Sequence, residues 1–407
     1  MSESLTYTRS ATHSDSEPAV RDGIRASAEP LRALFVLNSL GVGGSETKIV
    51  RVLNALWERG VRVAACYLNE PSDLRNSLHP QVPVWHLQRR GKFSLAALHR
   101  LARLLREQRP AVVFTVNLYP ALYGCIASRG LGVDTIALLN TTHFARRDEW
   151  RRAFYRPFLR RLDRVVYGCE LQRQEWRRRI GSGRPSEVIY NGVDVEAFSP
   201  THADRHRAHE RERLGIGRDT FVIGSVGRLV AHKNQRVLID ALAHLRGRSL
   251  DAHLLLVGQG PMRDALEERV RALGLERHVT FAGLQHDVRP ALAAMDVFVL
   301  PSTHVETFSN AALEAMAMGK PVVLSRIGGA REMIRDGVEG FTIEPSDLEP
   351  RLKVLLAQLC ADGDRVARLG QAARERAVSE FSLDAMVSSY AALIERSSHD
   401  VGGKRLQ

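Results

Sequence analysis

Short apolar runs alternate with helix-length amphipathic segments along this chain, and the alternation is played through twice. In the first half the apolar runs are ALFVLN (33–38), VRVAACYL (61–68), AVVFTVN (111–117), TIALLN (135–140) and RVVYGC (164–169). They are nearly continuous and rich in Val, Ile and Leu, as strands buried on both faces are. The spacing predicts helices over 44–59, 94–107, 148–161 and 170–180. After a polar stretch, 201–218, the pattern restarts with FVIGSVGRL (221–229), AHLLLVGQG (252–260), HVTFAG (278–283), DVFVLPS (296–302) and PVVLSR (321–326). Strands and helices in this order give parallel sheets covered by helices. The expected fold class is α/β: two Rossmann-like, doubly wound domains facing across a cleft. Ligands of such sheets bind at the carboxyl ends of the strands, so both domains would aim loops at one shared site.

The expected boundaries are 31–200 for the first domain and 201–381 for the second. A last helix, 382–397, is expected to pack back on the first domain. Residues 1–30 are rich in Ser, Ala, charge and Pro without apolar periodicity, and read as disordered. Residues 398–407 read as a flexible tail. The N-terminus shows no charged region followed by an apolar one, and no window offers eighteen uncharged apolar residues. The four cysteines are scattered, with neither metal nor disulfide spacing. A cytoplasmic protein is expected.

The formal charge is +12, unevenly placed. Arg146 to Arg184 holds thirteen arginines against five acids, a net +8. Such a block attracts an anionic surface, nucleic acid or a phosphorylated substrate. Within it, Trp150, Phe154, Phe158 and Leu162 recur every four residues as one apolar stripe, flanked by Arg147, Arg151, Arg152, Arg156 and Arg160. The stripe is either core, with the arginines solvated, or part of a face that docks on an anionic membrane leaflet.

A glycine-rich loop, SLGVGGSETK (39–48), follows the first strand. Thr47 and Ile49 flank Lys48 where a P-loop needs Gly and Ser or Thr, and Glu46 stands at the third glycine of a dinucleotide fingerprint. In ETFSNAALEAMAMGKPVV (306–323), Glu306 and Glu314 lie eight positions apart, the first before a helix and the second inside it. The backbone N–H groups of Phe308 to Ala311, Ser309 and Asn310 included, would be free at the positive end of that helix, a place for phosphate. Ionised glutamates only accept, and sugar hydroxyls donate. Equally, Glu306 or Ser309 could cap the helix and Glu314 could be a solvated helical residue. In GRLVAHKN (227–234), Arg228 and Lys233 could neutralise a diphosphate or be a surface pair. GQGPMRDALE (258–267) reads as a strand-to-helix turn in any case. Asp362-Gly363-Asp364 reads as a turn between two helices. His143 ends the fourth apolar run.

Taken together, GVGGSE, NGVDVEAFSP, GRLVAHKN, GQGPMRDALE, the E-x7-E element and IGGAREMIRDGVEGF (327–341) resemble the retaining GT-B glycosyltransferases of glycosyltransferase family 4, over essentially Leu34 to Ile394. The resemblance implies that Gly43 and Gly44 lie near the donor phosphates and the acceptor. It implies that Arg228 and Lys233 bind the diphosphate, that Glu306 contacts the transferred sugar and Glu314 the ribose, and that His143 contacts the sugar near the reacting carbon. It further implies sugar transfer from a nucleoside-diphosphate sugar to an acceptor hydroxyl with retention, in surface polysaccharide, lipopolysaccharide or glycolipid assembly. No cofactor or metal is expected, since cations and a helix dipole already face the leaving group. The expected partners are the nucleotide sugar and a glycan or lipid-linked acceptor, with peripheral contact to the inner face of the cell membrane. Thr307 departs from the small residue common after the first Glu, and TTHFARR is a loose match around His143. The rival readings are a GT-B sugar-nucleotide epimerase, a basic nucleic-acid-binding protein and a silent scaffold. No nucleic-acid module is present in the sequence.

Overall fold

The computed structural model describes residues 30–140, 149–180, 184–304 and 306–404. Its strands form two wholly parallel sheets. The first contains β1 (Ala33–Leu37), β2 (Val63–Tyr67), β3 (Val84–His86), β4 (Val112–Val116), β5 (Asp134–Leu139), β6 (Arg164–Tyr167) and β7 (Ser186–Val188), in the order β3-β2-β1-β4-β5-β6-β7. The second contains β8 (Phe221–Val226), β9 (Ala252–Val257), β10 (Val279–Gly283), β11 (Val297–Leu300), β12 (Val322–Ser325) and β13 (Gly340–Ile343), in the order β10-β9-β8-β11-β12-β13. In both, the strand order reverses beside the first strand of the half, β1 or β8, which leaves a crevice at the carboxyl ends there. Every residue of β1, β2 and β9 is buried, so a Val/Leu/Ala run without alternation is what these strands require.

Three strands escape the sequence reading: β3, β7 and β13, of three or four residues each. Two helices also escape it. Leu118–Ala127 is apolar on nearly every side because it serves two cores, Tyr123 and Ala127 in one and Ala121 and Leu122 in the other. Pro200–Arg213 falls in the stretch expected to be a polar connection. It is anchored by an arginine whose side chain is buried inside the protein. Arg211 is 1% exposed and donates to Asp296 Oδ2 at 2.7 Å and to the carbonyls of Ala294, Arg218 and Thr220.

The apolar stripe read along the helix Glu149–Leu159 meets expectation in part. Tyr155, Leu159 and Leu162 are buried against Ala121 and Leu122 of the neighbouring helix, while Phe154 is 50% exposed. Of the predicted stripe, Leu162 is buried and Phe158 packs against the same core, while Tyr155 and Leu159 take the buried place expected of Phe154.

The chain crosses back at its end. The helix Gly363–Glu380 packs on the second domain through Ala373 and Ala377, and the next helix, Leu383–Lys404, packs on the first. Met386, Val387, Tyr390, Leu393 and Ile394 join a core with Phe35 and Phe114, whose rings stack 4.6 Å apart. The segment Tyr190–Asn191 and the crossing at Phe381–Leu383 thus tie the two halves together, with Val193 N–H donating to Phe381 O at 2.9 Å and Leu383 N–H to Val193 O at 2.7 Å.

Candidate active site

The carboxyl ends of the two sheets face each other across a cleft of about 660 Å³. Gly43, Gly44, Arg228, Lys233, Glu306, Phe308, Ser309, Asn310 and Glu314 all border it. His143 lies outside the described residues.

Each predicted residue arrives by a local cause. Arg228 follows β8, where Gly258 lets the end of β9 press against the chain. Gly258 has φ +135°, and a Cβ there would sit 2.0 Å from Gly227 O. The Arg228 side chain is exposed and makes no ion pair among the described residues. Lys233 ends a short 3-10 turn, and its Nζ lies 2.5 Å from Glu306 Oε2. Ser302 Oγ donates to the same oxygen at 3.3 Å. The Glu306 loop is backed by Gly328, at φ +53°, where a Cβ would fall 2.2 Å from Glu306 O. Only glycine tolerates both that φ and that approach.

Ser309 is the N-cap of the helix Asn310–Ala317, its Oγ accepting from Ala312 N–H at 3.3 Å. The capping alternative therefore holds for Ser309. Phe308 is buried, its ring against Tyr190 and Phe381, so only its backbone can serve the cleft. Asn310 spans the domains, donating to Gly44 O at 3.1 Å and accepting from Asn191 Nδ2 at 2.8 Å. The N–H groups of Asn310 and Ala311 have no partner among the described residues.

Glu314 is not a solvated helical residue. Its side chain is 10% exposed, and Oε1 accepts from Arg51 Nη2 at 3.0 Å across the cleft. Burial raises its pKa above the usual carboxylate value, and the Arg51 guanidinium pulls it back. The glycine loop is less demanding than its composition suggests. Gly43 is extended, with φ −162°, and a Cβ on it would meet only the end of the flexible Glu46 side chain, 2.6 Å from Oε2, while one on Gly44 would meet Asn310 only at 3.8 Å. The two glycines keep that wall bare.

Sequence reasoning missed three residues of this site and one strut between the domains. Arg51 and Lys48 come from the helix Gly44–Glu58. Asn191 belongs to the NGVD motif and donates to Phe308 O at 2.7 Å. Glu332, in IGGAREMI, takes the backbone N–H groups of Glu170 and Leu171 at 2.7 and 2.9 Å and the Tyr190 hydroxyl at 2.9 Å. It caps a first-domain helix from the second domain. The motifs containing Asn191 and Glu332 were visible; the partners, over a hundred residues away, were not.

Asp362 is taken up as the cap of Gly363–Glu380, accepting from Arg365 N–H at 2.9 Å. Among the described residues no group of three or more His, Cys, Asp or Glu is placed to hold a metal ion. No described helix is long and apolar enough to cross a membrane.

Sequence comparison now decides the family. Residues 42–197 match the family Glycosyltransferase Family 4, and residues 220–362 match Glycosyl transferases group 1. The chain belongs to glycosyltransferase family 4. This family 4 chain is 38% identical over 194 residues to the lipopolysaccharide core biosynthesis glycosyltransferase LpsE of Rhizobium meliloti, covering 48% of this chain and 55% of that one. It is 35% identical over 238 residues to the GDP-mannose-dependent alpha-(1-6)-phosphatidylinositol monomannoside mannosyltransferase of Mycolicibacterium smegmatis, covering 56% of this chain and 61% of that one. The matches thus span little more than half the length of these relatives. Among solved structures, Anabaena HepE in complex with UDP superposes with a TM-score of 0.77 at 24% identity, over 89% of this chain and 99% of that one. The likeness in fold is to a two-domain GT-B protein.

Proposed function

We propose that this protein transfers a sugar from a nucleoside-diphosphate sugar to an acceptor hydroxyl, with retention of anomeric configuration. The observation that carries the reading is the meeting of Glu306, Glu314, Arg228, Lys233 and the N-terminus of Asn310–Ala317 in one cleft. Arg228 and the unpaired N–H groups of that helix stabilise the negative charge that grows on the departing diphosphate. Lys233 bridges that charge and Glu306, so the sugar and its leaving group share one cation. Glu314 accepts from the ribose hydroxyls, and Glu306 from a hydroxyl of the transferred sugar. His143 is proposed to contact that sugar from the first domain. The relatives act on lipopolysaccharide core and on a phosphatidylinositol mannoside. They support an acceptor in surface polysaccharide or glycolipid assembly, over an epimerase or a nucleic-acid binder. Calorimetric titration with UDP, GDP and ADP tests the reading: at least one binds, and silence with all three sinks it.

A lipid-linked acceptor calls for contact with a membrane, and one face of the first domain supports it. Phe93 and Phe154 are 47% and 50% exposed, beside the exposed Arg90 and Lys92. Both rings pack on the helix Leu118–Ala127, Phe93 against Tyr123 and Phe154 through Tyr155 against Tyr119, and the Arg89 guanidinium sits over Tyr119 at 4.7 Å. Aromatic rings among basic groups suit an anionic interface, where each cation contributes about 1 kcal/mol. The protein should co-sediment with vesicles containing phosphatidylglycerol at low salt and release at high salt. Phe93→Ser with Phe154→Ser should weaken that binding. A protein that stays in the supernatant at low salt has no such face.

A further inference from the structure

The first-domain wall of the cleft carries a cation that the reading above leaves unused. Lys48 lies in the helix Gly44–Glu58 among the buried Ile49, Val50 and Val52, and is itself 5% exposed. Its ammonium donates to Asn140 Oδ1 at 2.9 Å, the one hydrogen bond it makes among the described residues. An ammonium has three donors. No described carboxylate lies within ion-pair distance of it; burial draws its pKa down to about 8, and Glu46 is the charged neighbour that opposes this.

Asn140 is incomplete in the same way. It follows β5 and is fixed from two sides: its N–H donates to Asn117 Oδ1 at 3.1 Å, and its carbonyl accepts from Thr307 Oγ1 at 2.9 Å. Because an ammonium cannot accept, the amide oxygen must face Lys48, and the Nδ2 group then points away from it. That Nδ2 is buried and has no partner among the described residues. A charged donor and a neutral donor, both short of acceptors, are thus held side by side where both residues border the cleft. Buried donors left unpaired are costly, and such pairs persist where a ligand completes them.

We propose that Lys48 and Asn140 form a second anion subsite of the cleft, separate from Arg228 and Lys233, that takes a phosphate or carboxylate oxygen of a substrate. The assignment of that substrate rests on the glycosyl-transfer reading; the subsite does not. Either the donor diphosphate or an acidic group on the acceptor could supply the oxygen.

Inorganic phosphate, titrated calorimetrically into the full chain, tests it. Binding should persist in a variant carrying Arg228→Ala and Lys233→Ala. Adding Lys48→Met, which keeps the buried methylene stem, should weaken it at least tenfold. Asn140→Asp, which sets a carboxylate against the ammonium at unchanged volume, should cause the same loss and serves if the methionine variant fails to fold. Phosphate binding that vanishes with Arg228 and Lys233 alone, or that ignores both Lys48→Met and Asn140→Asp, overturns the subsite. The source is read with Lys48→Met alone. A tenfold loss of affinity for the nucleoside diphosphate that binds the wild type assigns the oxygen to the donor, and unchanged affinity assigns it to the acceptor. If no nucleoside diphosphate binds the wild type, the glycosyl-transfer reading fails while the phosphate titration still decides the subsite.

Discussion

Glu306 and Glu314 are neighbours in sequence but are held by cations from different domains, Lys233 from the second and Arg51 from the first. Their replacement should therefore separate binding from turnover. Glu314→Ala removes a charge-assisted acceptor from the ribose and should weaken nucleoside diphosphate binding by roughly 1–3 kcal/mol. Its partner Arg51 is 30% exposed and can turn to water, so the fold should survive. Glu306→Ala should leave that affinity near the wild-type value and lower turnover, because its contact is to the sugar at the reacting end. A titration and a rate assay showing the opposite pattern would reverse the two roles. At this scale the sequence was readable where chemistry is written as spacing: two carboxylates eight apart ahead of and within a helix, and cations after a strand. It was unreadable at Lys48 and Arg51. A cation on an apolar helix reads as a stem that snorkels to solvent, and only the fold shows that these two meet Asn140 and Glu314 instead.

The strands that were legible lie in short runs of mostly apolar residues set between helix-length segments. β3, β7 and β13 are too short to show any period, and the helix Leu118–Ala127 is apolar all round, which periodicity alone cannot tell from a strand. Pro200–Arg213 is charged all round and gives no amphipathic signal, since the residues it buries among those described are charged, Glu210 and Arg211. One strand also stores a pH response. His253 of β9 is 6% exposed, with Nε2 2.8 Å from Thr280 Oγ1. Burial lowers its pKa from 6.5 to about 4; His278, Arg211 and Arg246 push the same way and Asp251 opposes. The unfolded chain takes up this proton near pH 6.5 and the folded chain does not until about pH 4, so the unfolded state binds more protons between them. Stability should fall as pH drops through that window, by on the order of 2–3 kcal/mol. His253→Gln should remove this part of the slope. Thermal midpoints of the two proteins measured from pH 7 to pH 4 would run parallel if His253 plays no part.

For the molecule as a whole, the repetition of strand and helix made two tandem domains readable, because each half restarts its own hydrophobic pattern. How tightly the halves meet was not readable, since it depends on single polar pairs. Arg51 with Glu314, Asn310 with Gly44 O, Thr307 with Asn140 O, and Glu332 at the N-terminus of Glu170–Ile180 all join residues at least 161 apart. The Glu332 contact has a kinetic side. None of the residues of the helix it caps borders the cavity. Yet parting the domains at this point breaks its three hydrogen bonds to a carboxylate and strips a helix of its first-turn partners. Anything enclosed between the domains that leaves by this route therefore does so only once a helix that does not border the cavity has lost its cap.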